Sequence, residues 1–349
     1  MQNIDRRYDI DWLRVIAIGL LVIYHIAIAF QPWGGMIGFI TAKNFWTDIW
    51  LPMSMLNVWR IPLLFYVSGM GVFFALQRRT WQALMAERSK RILIPYIFGI
   101  LVIVPLHLLI WRMHYQMNLV YSPSPGHLWF LGNIFAYVLM LSPLFYYLMK
   151  NQEKGVALWL KKLLSSPFGL LIPALVLVAE AEIVNPRPFE LYAMTWHGFF
   201  LGLFAFFFGF CFVFAGLPFR KLIERWWFIW FLLAVGSFVY RSFILKSPAE
   251  NWLLSLESYM WVLSMLALAG MLFTKPSKLL SYLSQAAYPV YILHMIFLYL
   301  ASHLLFNLEL PPPVIFLLVL IFTLAGCFLS FELIKKIKFL RPLFGLKMD

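Results

Sequence analysis

Residues Asp11–His25 read DWLRVIAIGLLVIYH, an apolar run that holds an arginine and, eleven positions later, a histidine. It opens a series of apolar stretches of about 20 residues that recur along the whole chain, the pattern of membrane-spanning helices. Hydrophobic residues make up 63% of the 349 and charged ones 12%, about half the charged share of a soluble globular protein. The fold class is therefore all-α, a polytopic membrane protein. No segment between the apolar runs is long enough to bury a core of its own, so the chain reads as one integral-membrane domain over residues 1–349.

Ten transmembrane helices are expected, at 10–31, 54–76, 92–113, 128–149, 168–185, 198–217, 226–245, 253–273, 287–306 and 313–334. With the N-terminus placed in the cytoplasm, the connecting segments on that side carry Arg6 and Arg7; Arg78, Arg79, Arg88, Lys90 and Arg91; and Lys150, Lys154, Lys161 and Lys162. Arg220, Lys221, Arg225, Lys275, Lys278, Lys335, Lys336, Lys338, Arg341 and Lys347 follow. These are 21 of the 28 lysines and arginines. Arg14 sits just inside the first span, and only Lys43, Arg60, Arg112, Arg187, Arg241 and Lys246 fall in the outer half. The positive-inside rule then puts both termini in the cytoplasm. The formal charge of +13 is thus a topology signal and not a nucleic-acid signature.

Cys211 and Cys327 both fall within spans, so no disulfide framework is expected. Ala27-Ile28-Ala29 has the look of a signal-peptidase site, but Asp5, Asp9 and Asp11 make a poor leader, and Tyr24 and His25 interrupt the apolar segment. The first helix is expected to stay uncleaved. The run FFLGLFAFFFGFCFVF in span six is lipid-facing or packed and offers no chemistry. Pro62, Pro95, Pro105, Pro143, Pro173 and Pro289 interrupt spans, which membrane bundles tolerate where a neighbour satisfies the freed carbonyl. HYQMNLVYSPSPGH, residues 114–127, reads as an outer loop. QRRTWQALMAERSKR, residues 77–91, reads as a basic interfacial helix.

Ionisable residues inside spans are costly and mark functional surfaces. At 100° per residue, Arg14 and His25 fall about 20° apart on one helix face and about 16 Å apart along it. His25 is therefore expected near mid-membrane, above Arg14, with Asp11 one turn before the guanidinium to fix it. The pair would line one wall of a cavity reaching in from the cytoplasm. Taken alone, Arg14 is more often an interfacial anchor, and His25 is as readily a packed core residue. In YPVYILH, residues 288–294, Tyr288, Tyr291 and His294 descend one side of span nine at i, i+3 and i+6. HLWFL, residues 127–131, marks the outer mouth of span four. Arg60, His107, Arg112, His114, Arg241 and Glu257 lie in the outer parts of their spans, with Glu180, Glu182 and Arg187 nearby. Singly these read as solvated rim groups; together they could line an outward cavity that holds a sugar.

These residues resemble the acyltransferase-three family, ten-helix membrane proteins that O-acylate extracytoplasmic glycans. The resemblance rests on five motifs in order over almost the whole chain: Arg14–His25, FYVSG (Phe65–Gly69), RSKRILIPY (Arg88–Tyr96), HLWFL and YPVYILH. FELIKKIKFLRPLFGLK (Phe331–Lys347) and NWLLSLES (Asn251–Ser258) look like the periplasmic glucan succinyltransferase branch. The resemblance implies cytoplasmic acyl-coenzyme A as donor, no metal, and a hydroxyl on a periplasmic or lipid-linked glycan as acceptor. It also implies a multi-pass protein of the inner cell membrane; a second copy or a periplasmic protein as partner is left open by the sequence.

Moving an acyl group from a thioester to an alcohol needs a base near neutral pH, which imidazole supplies. His25 is the candidate, as general base or as an acyl-accepting nucleophile. Arg14 would hold a donor phosphate or the thioester carbonyl. Tyr291 and His294 would orient the acyl group or stabilise the oxyanion. Arg78, Arg79, Arg88, Lys90 and Arg91 suit coenzyme A phosphates, and lipid headgroups equally. His127, Trp129, Arg60, Arg112, Arg241 and Glu257 are the candidate acceptor or acyl contacts. A dicarboxylic acyl group would need one of those three arginines; acetyl would not. The reading from another class is a transporter or flippase for a lipid-linked sugar, which ten spans and broken helices also suit.

Overall fold

The computed structural model describes residues 7–245 and 247–347. Asp5, Arg6 and Lys246, which entered the charge argument, lie outside them. Among the described residues there is no strand. The helices are α1 (Tyr8–Ile28), α2 (Trp50–Leu76), α3 (Trp81–His114), α4 (Gly126–Lys150), α5 (Gly155–Leu164), α6 (Phe168–Val184), α7 (Trp196–Ala215), α8 (Leu217–Arg225), α9 (Trp227–Ile244), α10 (Asn251–Leu272), α11 (Lys278–Leu305) and α12 (Pro312–Lys336). Nine of those described are long and apolar enough to cross a membrane, or ten if the bent pair α5 and α6 counts as one span.

The fifth span, expected at 168–185, is α6 (Phe168–Val184), and the unexpected feature is the short α5 bent sharply against it. The two helices meet at 100°, because Ser165 and Ser166 bond back to the carbonyls of Lys161 and Leu163 and Pro167 starts a new turn. A second difference concerns residues 77–91. The basic segment is not a separate interfacial helix: from Trp81 onward it is the first part of the 34-residue α3.

Proline shapes α2 and α3, and tyrosine repairs them. In α3, π turns at Ser89–Leu93 and Gly99–Ile103 come just before Pro95 and Pro105, where the wider turn relieves the ring clash. Pro105 cannot donate to the carbonyl of Leu101, and the Tyr121 hydroxyl does so at 2.8 Å. Pro62 likewise frees the carbonyl of Val58 in α2, which accepts from the Tyr192 hydroxyl at 3.1 Å. The freed groups are thus satisfied inside the protein, as a bilayer requires.

The chain forms two compact units, each drawn from three stretches. The first is Met1–Ala17, Asn57–Ala86 and Asn133–Leu280; the second is Ile18–Leu56, Glu87–Gly132 and Ser281–Asp349. In the first, α10 packs against α6, α8 and α9, and α7 against α5 and α6. The phenylalanine-rich run of α7 is packed: Phe206, Phe208, Phe210, Phe212 and Phe214 are buried, and Phe210 stacks on Phe145 at 3.8 Å. FYVSG is a packing motif here. A side chain on Gly69 would land on the backbone of Phe206, and one on Gly209 on the backbone of Tyr66, so two glycines let α2 and α7 approach closely. Ser68 bonds back to the Leu64 carbonyl at 2.7 Å.

In the second unit the short turn Arg341–Phe344 follows α12 and packs on α3, with Phe344 against Phe98 at 5.5 Å. Gly345 has φ +69° and lies between the Tyr288 ring and the Arg91 carbonyl. Any other residue there would be strained and would strike the tyrosine.

A histidine cluster as candidate active site

Six of the seven histidines belong to the second unit. His25 sits in the last turn of α1, with seventeen residues of that helix before it and three after. Its Nδ1 is 2.8 Å from Nε2 of His294, and the two rings are parallel within 5°. His294 is fully buried on α11, while His25 is half-buried.

The protons in this pair follow from the acceptors. Nδ1 of His294 is 2.7 Å from the Tyr291 carbonyl, which can only accept, so Nδ1 carries the hydrogen. In the neutral ring Nε2 then holds the lone pair and accepts from Nδ1–H of His25. That fixes the lone pair of His25 on Nε2. The tautomer is thereby set by a backbone carbonyl two groups away.

His127, at the start of α4, is latched to the same stretch of α11. Its Nε2 donates to the Ile292 carbonyl at 3.0 Å, and its own carbonyl accepts from the Tyr291 hydroxyl at 2.6 Å. Tyr291 was expected to orient the acyl group or stabilise an oxyanion. In this structure its one proton is directed to the His127 carbonyl. The His127 ring meets His294 edge-on at 5.0 Å and His107 at 5.5 Å. His107, read as a rim group from sequence, is buried, with its ring 5.0 Å from that of Tyr299. Four imidazoles are thus in a row of ring contacts. Among the described residues no three His, Cys, Asp or Glu side chains converge as metal ligands.

The other expected site residues divide between the units. In the first, Arg14 donates to Asp11 at 3.4 Å, and its Nη2 lies beside Gly71 of α2. Arg78 and Arg79 are exposed, and Arg60 is buried on α2. Arg241 was a candidate for a substrate carboxylate, but both sides of its guanidinium bind Glu257, one at 3.1 Å. Glu257 is fully buried and Arg241 nearly so, so each neutralises the other. Glu180 is not a solvated rim group either: it is buried and meets His197 Nδ1 at 3.0 Å. Sequence reading passed over His197, a lone imidazole in TWHGFF with no partner at helical spacing. Glu182 accepts from the Trp252 amide at 2.9 Å at the start of α10, where a carboxylate suits the helix N-terminus.

In the second unit, Arg112 donates to the Asn118 carbonyl at 3.1 Å. Arg91 pairs with Glu87 at 3.3 Å, Lys90 is exposed, Arg88 half-buried, and Trp129 stands edge-on to Phe130 at 6.3 Å.

A family model described as an acyltransferase domain matches residues 7–332, a stretch that takes in all five motifs. The chain belongs to the acyltransferase-three family. The searches of curated proteins and of solved structures returned no match. This acyltransferase carries two of the five family-like motifs, the Arg14–His25 element and YPVYILH, to a direct contact: the last residue of one bonds the last residue of the other. HLWFL is tied to YPVYILH by the two His127 bonds.

Proposed function

We propose that the protein transfers an acyl group, acetyl or succinyl, from cytoplasmic acyl-coenzyme A to a hydroxyl of an extracytoplasmic envelope glycan. The observation that carries the reading is the chain from His25 through His294 to the Tyr291 carbonyl. With the proton of His25 on Nδ1, the basic nitrogen of its ring is Nε2, and His294 supports the positive charge that forms when that nitrogen takes a proton. Nε2 removes the alcohol proton as the oxygen attacks the thioester carbonyl. The C–O bond forms, the C–S bond breaks, and the imidazolium returns its proton to the departing thiolate.

The same arrangement resembles a base–orienter pair in hydrolases, with an imidazole in the orienting place. Arg14, braced by Asp11 and about 16 Å along the helix from His25, is assigned to a donor phosphate. Arg88, Lys90 and Arg91 are assigned to coenzyme A phosphates, and the exposed Arg78 and Arg79 of the other unit are, separately, candidates for the same groups. The excess of basic residues on one set of connections supports cytoplasmic termini and an inner-membrane location. The C-terminal pattern at 331–347 favours the glucan succinyltransferase branch. Radiolabelled acetyl- and succinyl-coenzyme A incubated with purified protein and extracted envelope glycans test the reading. Label in the glycan is the expected result; solute movement with no label transferred would replace the enzyme by a carrier.

A further inference from the structure

The connection from α1 to α2 does not leave the molecule. It turns back over the helix end that bears His25. Ala42 and Trp46 donate to the carbonyls of Ala29 and Phe30 at 2.9 and 3.0 Å, and Gln31 Nε2 reaches the Trp46 carbonyl at 3.0 Å. Within this return, Gly34–Ile37 forms a 3₁₀ turn closed by Gly38 at φ +87°. The turn delivers Phe39, buried to 7% exposure, to a ring contact with His25 at 5.8 Å.

Two distant tyrosines hold it there. The Tyr299 hydroxyl donates to the Gly38 carbonyl at 2.7 Å, and its ring lies 6.0 Å from that of Phe39. The Tyr115 hydroxyl receives the Thr41 amide at 3.3 Å and reaches the Phe39 carbonyl at 3.4 Å. The apex between the latches is open, with Met36 87% exposed. A buried aromatic ring on a glycine-hinged turn, fastened by single hydroxyls and exposed at its tip, has the features of a closing loop.

We propose that Gly34–Thr41 is a strap whose Phe39 covers His25 on the acceptor side and decides between a sugar hydroxyl and water as acyl acceptor. This rests on the acyl-transfer reading above. Water and an alcohol attack the thioester by the same route: the C–O bond forms, the C–S bond breaks, and the proton goes by way of imidazole to the thiolate. A base that activates one activates the other, so selectivity must come from what reaches it. Phe39 excludes water while the strap is shut. A glycan, which binds by contacts that water cannot make, displaces the ring and takes its place. Phe39 and Tyr299 are positioning residues in this scheme and touch no reacting atom.

The test compares thiol release from acetyl- and succinyl-coenzyme A without acceptor, on purified protein, with ester content of envelope glycans in cells making each variant. Phe39→Ala is expected to raise acceptor-independent thiol release about tenfold and to lower the glycan ester content of the cells. Phe39→Leu should fall between it and wild type. Tyr299→Phe keeps the ring and loses the latch, and is expected to raise thiol release about threefold; it also covers the case in which Phe39→Ala does not fold. Wild-type transfer with unchanged thiol release in Phe39→Leu and Tyr299→Phe overturns the strap alone. A wild type that forms no glycan ester overturns the acyl-transfer reading, and the strap with it.

Discussion

Nδ1 of His25 and Nε2 of His294 are 2.8 Å apart although 269 positions separate them in sequence. The bond runs one way, from His25 to His294, because the one proton of the neutral His294 ring is on Nδ1, donated to the Tyr291 carbonyl. Replacing His294 by leucine should therefore lower kcat by about 10²–10⁴-fold with little change in KM, the cost of losing a positioned orienter. His294→Gln, whose Oε1 can stand where Nε2 stood, should recover part of that loss. Steady-state kinetics on the two variants measures the split. Equal loss in both would mean that the position matters only for packing.

Tyr291→Phe removes one hydrogen bond, to the His127 carbonyl, and leaves the His25–His294 pair in place. The expected cost is about 1 kcal/mol of stability and less than a tenfold loss of rate. A loss as large as that of a His25 variant would return Tyr291 to direct work on the substrate.

The Arg241–Glu257 pair, 9% and 0% exposed, should behave as a compensated unit. Glu257→Gln or Arg241→Met alone is expected to destabilise by about 3–5 kcal/mol, and the double replacement by apolar residues of similar volume to recover most of it. Thermal unfolding in detergent reads all three. If Arg241 instead binds a substrate carboxylate, the double variant folds well and selectively loses succinyl transfer.

Gly69→Leu should separate α2 from α7, since a side chain there meets the backbone of Phe206. The variant is expected to lose folded yield, whereas Gly19→Ala, which would meet nothing nearby, should not.

Much of the fold was legible because bilayer thickness and backbone satisfaction leave few choices: apolar runs of span length gave helices, and only the bend before Phe168 and the continuity of α3 through Trp81 escaped. Both are local, set by serine back-bonding and by the lack of any proline or glycine from Trp81 to Ile94. The site was legible in parts. Spacing picked out His25 and His294 one at a time, but their contact depends on packing between remote stretches. His107 and His197 each stood alone in an apolar run and gave no periodic signal. The return of Gly34–Thr41 over His25 was hidden for the same reason, since its latches, Tyr115 and Tyr299, lie far along the chain. Buried charge misled most: Arg241, Glu257 and Glu180 looked like open polar groups because their partners are not at helical spacing.

The most direct measurement is ester formation from acyl-coenzyme A by His25→Ala against wild type at equal amounts of folded protein. The proposed role predicts loss of transfer by at least about 10²-fold, with donor binding retained. Transfer by the variant at the wild-type rate would contradict it.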